Sequence, residues 1–323
     1  MVNLRAGMTR GVGLSAALML GLSALTGCAS DELSDGPAPP TGTFTGPPVA
    51  EPIDPVKVAF ITDYGNCDEG TAAVADMVHT WDVSAYVTGG DNTQSVDDCI
   101  PYEQSVMDYY GDVQVGADGP SFFPALGNHD YTNEGAGLDA YRAAFPYLSS
   151  AADDERRWYS QRVGDIDFFI LDSEVEGDDL ITQQDWLKGA LEESSSGAQS
   201  AAWQVVVFHR PAFSSGSHGP RPEMQPDNGW HYKEWGADLV LAGHQHIYED
   251  VEVDGLHYLT VGPGAGEMPR PCPAEDERVE GSRICLEGEG AGLISADPNT
   301  LQVEYHQPID GSDTVTDTLT LTQ

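Results

Sequence analysis

Six residues able to hold metal ions stand at the ends of short apolar runs in this sequence. Val58-Ala-Phe-Ile-Thr-Asp63 and Tyr86-Val-Thr-Gly-Gly-Asp91-Asn92 each deliver an aspartate. Phe122-Phe-Pro-Ala-Leu-Gly127-Asn128-His129-Asp130 delivers Asn128, and Trp203-Gln-Val-Val-Val-Phe-His209 delivers His209. Asp238-Leu-Val-Leu-Ala-Gly243-His244-Gln245-His246 delivers His244 and His246. Carboxylate, amide oxygen and imidazole together suit divalent first-row ions. Two such ions side by side can clamp the oxygens of an ester undergoing in-line attack by water, so the pattern points to a two-metal hydrolytic centre.

Positioning these groups requires strands. Each run is β-rich and bounded by turn residues, which reads as a buried strand, and α/β proteins gather ligands at the carboxyl ends of such strands. Val74, Met77, Val78 and Trp81 fall on one helical face after the first strand. Thr182-Gln-Gln-Asp185 reads as a capping box opening a helix that buries Trp186, Leu187 and Leu191. Hairpins are expected about Gly164-Asp165 and Asp254-Gly255, and the alternation from Thr314 to Gln323 reads as an outer strand. Alternating units first and hairpins later predict an α/β protein with two packed mixed sheets and helices outside.

The succession D-x-G, G-D-N, G-N-H-D, strand-terminal His and G-H-x-H resembles the calcineurin-like metallophosphoesterases, within them the bacterial purple acid phosphatase-like branch. The similarity runs from about Val56 to Gly266 and includes Ser217-His218-Gly219. It implies a four-layer α/β/β/α sandwich and two divalent metal ions, Fe, Mn or Zn. Asp91 would bridge them, with Asp63 and His246 completing one site and Asn128, His209 and His244 the other. It further implies hydrolysis of small phosphoesters by a metal-bound hydroxide, in the manner of an acid phosphatase acting on monoesters. A phosphodiesterase or nucleotidase of the same fold, or a surface lipoprotein that binds metal without turnover, are the alternatives.

By the same resemblance His129 faces the phosphoryl oxygen or leaving group, and His218 is a second substrate-facing histidine able to protonate a leaving alkoxide. The competing reading of His218 is an exposed loop residue. Asp130 either orients the His129 ring or caps its own loop. Arg210 and Arg221 are the basic residues nearest the motifs in sequence, either of which could meet phosphate, and Tyr64 is expected to wall the pocket. One departure stands out. Purple acid phosphatases carry a tyrosinate ligand three residues after the bridging aspartate, where this chain has Gln94. Other members carry a histidine two residues after the first aspartate, where this chain has Gly65.

The amino terminus reads as an export signal. Arg5 and Arg10 precede an apolar stretch too short for a comfortable span, and Leu25-Thr-Gly-Cys28 resembles a lipobox, with an ordinary secretory signal as the alternative. The expected organisation is a signal peptide over 1–27, a Pro-rich acidic tether over 28–55, and a catalytic domain over 56–323, held to a membrane only by a lipid on Cys28. Of five cysteines, removing Cys28 leaves four. Cys67 and Cys99 follow neighbouring strand ends and are expected to pair, as are Cys272 and Cys285; metal ligation by Cys67 is the rival reading. Fourteen basic residues against 53 acidic ones give a net charge of −39. Such a surface excludes binding of nucleic acid by phosphate neutralisation.

Overall fold

The computed structural model describes residues 54–94, 102–111, 121–132, 138–148, 156–196, 200–266 and 269–323. The expected signal peptide, and the tether as far as residue 53, lie outside the described residues, as does Cys99.

Among the described residues, thirteen strands form two mixed sheets. In the first, β1 (Val56–Ile61), β2 (Ala85–Thr88) and β3 (Ser121–Pro124) run parallel. On the other side of β1 come β11 (Ala291–Ala296), β12 (Thr300–Ile309) and β13 (Ser312–Thr322), all antiparallel. The expected outer strand is β13, at the edge.

The second sheet has the order β10-β8-β9-β7-β6-β5-β4. Its centre is parallel: β5 (Ile166–Ile170), β6 (Trp203–Val207), β7 (Leu239–Ala242) and β9 (Leu256–Thr260). Flanking them are β4 (Tyr159–Val163), β8 (Tyr248–Val253) and β10 (Ser282–Leu286), each antiparallel to its neighbour. Both predicted hairpins are present. Asp254 (φ 52°) and Gly255 (φ 75°) adopt the left-handed pair that matches the twist of a two-residue connection.

Helices flank the sheets: α1 (Glu69–Val78), α2 (Asp108–Tyr110), α3 (Asn128–Thr132), α4 (Leu138–Ala144), α5 (Gly177–Ser196) and α6 (Tyr232–Trp235). This is the expected four-layer arrangement of two mixed sheets. The strand runs look continuously apolar because both faces are covered. Val205 and Val207 of β6 join Phe60 and Phe168 in one core shared by the two sheets. Val206 and Val240 join Leu187 and Leu191 of α5 in a second. Each such side chain contributes roughly 1.5–3 kcal/mol by leaving water.

At two helices the local signals resolve differently. Asp68 caps α1, its carboxylate accepting from the Thr71 N–H and its own N–H donating to the Thr71 hydroxyl. Trp81, expected on the helix, lies beyond its end yet remains buried. Helix α5 begins at Gly177, so the predicted cap at Thr182 is wrong. The Thr182 hydroxyl instead donates back to the Asp178 carbonyl at 2.8 Å, a bond available inside a helix. Leu187 and Leu191 are buried as predicted, whereas Trp186 packs only partly against the core. Cys272 and Cys285 form a disulfide. Cys67 is also disulfide-bonded, which removes it as a metal ligand.

Candidate metal centre

The carboxyl ends of β1, β2, β3, β6 and β7 open onto one crevice. At four of the six candidate ligands the chain leaves its strand through unusual backbone. Asp63 (φ 53°), Asp91 (φ 49°), His244 (φ 71°) and His246 (φ 56°) all sit in the left-handed region. Aspartate and histidine are among the few side chains that tolerate it. The loops also approach very closely. A Cβ on Gly127 would lie 2.2 Å from Asp91 Oδ1, so only glycine lets the β3 loop pass the bridging-ligand position.

Asp63, Asp91 and His209 offer ligand atoms all within 4.8 Å of one another, and all three are buried. His246 Nε2 is 3.2 Å from Asp63 Oδ1. His209 Nε2 is 3.3 Å from Asp91 Oδ2 and 3.2 Å from Asn128 Oδ1. The outer contacts aim these groups. His209 Nδ1 lies 2.9 Å from the Gly89 carbonyl, to which it donates, leaving Nε2 for the centre. Asp63 Oδ2 accepts from the Thr62 hydroxyl at 2.7 Å and from the His244 N–H at 2.8 Å. Asp63 Oδ1, by contrast, is buried with no hydrogen bond among the described residues. A buried carboxylate oxygen without a donor is costly and calls for a cation.

Electrostatics makes the same demand. Burial alone would raise the Asp63 carboxyl, but His209, His246 and the Thr62 hydroxyl hold it well below the usual carboxylate range. Burial opposes charge on His209 as well, yet Asp91 and then Asp63 push its pKa up to about 10. Burial, then His209 and Arg210, pushes His244 down to about 2. The buried carboxylates thus favour positive charge beside them, which divalent ions could supply in place of ring protons. The donors fit such a pair: Asp63, Asp91 and His246 for one ion, and Asp91, Asn128, His209 and His244 for the other.

Asp91, Asn128, His244 and His246 share a crevice of about 340 Å³ with His129 and His218, and Gln94 and Arg270 also line it. A second hollow of about 350 Å³, lined by residues including Ala72, Asp76, His79 and Tyr109, gathers no such cluster among the described residues. His129 donates its backbone N–H to Asp91 Oδ1 at 2.9 Å, and its Nε2 is 4.0 Å from Asp91 Oδ2. His218 is held twice, its N–H on Gln245 Oε1 at 3.0 Å and its Nδ1 on the His244 carbonyl at 2.8 Å. That leaves His218 Nε2 available to the crevice.

Several expected roles change. Asp130 is fully buried and its oxygens accept from Gly127 N (2.8 Å), Asn92 Nδ2 (3.0 Å) and Tyr102 OH (3.0 Å). It therefore caps its own loop, the second of the two expected readings, and ties the β2 and β3 loops together; burial followed by the Asp91 charge pushes it up to about 7. Tyr64 does not wall the pocket; it is buried with its hydroxyl on Asn92 Oδ1 at 2.8 Å. Arg210 is committed to Glu174 at 2.7 Å and to His244 Nε2 at 2.8 Å, and Arg221 to Glu223 at 3.6 Å. Gln94 does reach the centre, with Nε2 3.5 Å from Asp91 Oδ2.

The family description "calcineurin-like phosphoesterase" matches residues 56–248. Purple acid phosphatase 15 of Arabidopsis thaliana is 26% identical over 286 residues, covering 74% of this chain and 53% of that protein. Acid phosphatase type 7 of Danio rerio is 26% identical over 63% of this chain and 47% of its own length. The chain thus spans about half the length of these relatives. Purple acid phosphatase PPD1 from yellow lupin superposes with a TM-score of 0.65 at 18% identity, over 83% of this chain and 54% of that one. Motif order, sheet topology and this match agree: the chain belongs to the calcineurin-like phosphoesterase family.

Proposed function

We propose that the protein is an exported, membrane-tethered, metal-dependent phosphomonoesterase acting on small organic phosphoesters. The observation that carries this reading is the joint presence, in one crevice, of a buried two-metal donor set and two histidines with no place in it. When bound, divalent ions supply acidified water and charge neutralisation at the phosphoryl group. The chain's own residues do the rest. His218, with Nδ1 donating to a carbonyl, delivers from Nε2, in its imidazolium form, the proton that a departing alkoxide needs. His129, its backbone anchored on Asp91, faces the phosphoryl oxygens. A crevice of about 340 Å³ suits a small ester head.

Hydrolysis of p-nitrophenyl phosphate across added Mn, Zn, Fe and Mg tests the reading, with Asp91→Asn as the control. The variant should keep its fold and lose both metal and turnover. Wild-type turnover with full metal loading in Asp91→Asn would overturn the assignment. The lipobox-like Leu25-Thr-Gly-Cys28 supports the tether, and Cys28→Ser should move the protein from the membrane fraction to a soluble one with catalysis intact.

A further inference from the structure

Arginines in this chain are scarce and mostly spoken for. Arg142, Arg157, Arg162, Arg210, Arg221 and Arg283 each pair with a carboxylate. With 53 acidic residues against 14 basic ones, such pairing is the default. Arg270 departs from it. Among the described residues it has no ion-pair partner, although it lines the same crevice as His129 and His218. Its placement there is built into the fold, because its backbone N–H donates to the His246 carbonyl at 3.0 Å. The segment that carries Arg270 is therefore fastened to a metal-ligand residue.

A guanidinium is permanently charged and presents paired donors that match two oxygens of a phosphate. A terminal phosphate offers it three non-bridging oxygens and two negative charges, whereas a diester offers two oxygens and one charge. Elsewhere the crevice rim belongs to a strongly acidic protein that repels anions at long range, so a contact cation has a disproportionate effect. We infer that Arg270 is the residue that binds the dianionic terminal phosphate and sets the preference for monoesters over diesters. This inference rests on the phosphoesterase reading of the same crevice.

The test compares metal-loaded wild type with Arg270→Ala and Arg270→Lys. Kinetics on p-nitrophenyl phosphate and bis(p-nitrophenyl) phosphate are read beside the calorimetric Kd for inorganic phosphate and the bound metal content. In Arg270→Ala, KM for the monoester and Kd for phosphate should rise about 10- to 100-fold, the usual loss of hydrogen bonds to a charged group. Loss of ground-state binding leaves kcat within about threefold of wild type, and the diester, which offers two oxygens but only one charge, loses less in kcat/KM than the monoester. Metal content should not change, and lysine should recover part of the loss through its charge but not its fork. An unchanged phosphate Kd, or equal losses on both esters, overturns the assignment. If wild type hydrolyses neither ester but binds phosphate through Arg270, the hydrolytic reading fails and takes the ester preference with it, leaving only the phosphate contact. A wild type that neither binds nor hydrolyses overturns both.

Discussion

Arg210 Nη1 lies 2.8 Å from His244 Nε2, and Arg210 Nε lies 2.7 Å from Glu174 Oε1. A guanidinium has donors only, so the histidine nitrogen facing it accepts. His244 is thus backed by a cation, and that cation by Glu174, which follows β5. Like charge disfavours a metal ion at His244, and Glu174 offsets that effect. Arg210→Met should therefore tighten divalent metal binding, and Glu174→Gln should weaken it, each by about three- to tenfold at an effective interior dielectric. Calorimetric metal titration checks the signs. Weakening in both variants would mean that the pair acts only as a buttress.

His129 and His218 should behave unlike the ligands. His129→Ala and His218→Ala are expected to retain metal and lose about 10²–10⁴ in rate, the usual contribution of a positioned acid or charge stabiliser. For His218 the loss should grow with poor leaving groups, since p-nitrophenolate departs without a proton. Equal losses across leaving groups would leave His218 only a positioning role.

Gln94 predicts a colourless enzyme. A phenolate-to-iron band needs a tyrosinate ligand, and among the described residues no tyrosine lines the crevice. Tyr64 and Tyr102 are tied instead to Asn92 and Asp130. Nor could the usual histidine be restored at Gly65, where a Cβ would lie 2.3 Å from Thr93 Cα. Metal analysis should find a divalent pair, and Gln94→Tyr supplied with iron should gain visible absorption. Stoichiometric ferric iron in a purple wild type would refute this.

Asp172 offers a stability prediction away from the ligands. Burial pushes its carboxyl up to about 7, against the opposing hydrogen bonds from Tyr131 and the Glu174 N–H. An unfolded aspartate titrates near about 3.9, so the folded state holds the proton between those values. The resulting stabilisation is complete below the lower value and is lost as pH rises through the upper one. Urea melts should show wild type losing stability relative to Asp172→Asn between about pH 4 and pH 7. A difference that stays constant over that range would assign the proton elsewhere.

What the sequence made legible was whatever repeats a rule. Apolar runs ending in polar residues marked β1, β2, β3, β6 and β7, because a strand buried on both faces cannot hide its pattern. The residues it concealed act through spatial neighbours. Arg270 lies 24 positions beyond His246 and reaches the crevice through one backbone hydrogen bond. Glu174 follows β5, whose exit through Leu171-Asp172 is a sixth polar strand exit resembling the other five. Asp130 was ambiguous because adjacency to His129 says nothing about which way a buried carboxylate turns. Arg210 and Arg221 looked free only because their acidic partners are not visible as partners in one dimension.

The left-handed backbone at Asp63, Asp91, His244 and His246 has an evolutionary consequence. Each such residue costs on the order of 1–2 kcal/mol that glycine would not incur. A descendant freed from metal binding would gain stability by drifting at these four positions, and the cheapest drift is to glycine or asparagine. Vestigial members of such a lineage would therefore carry glycines at their strand exits, as fossils of a centre whose chemistry has gone but whose turns have not.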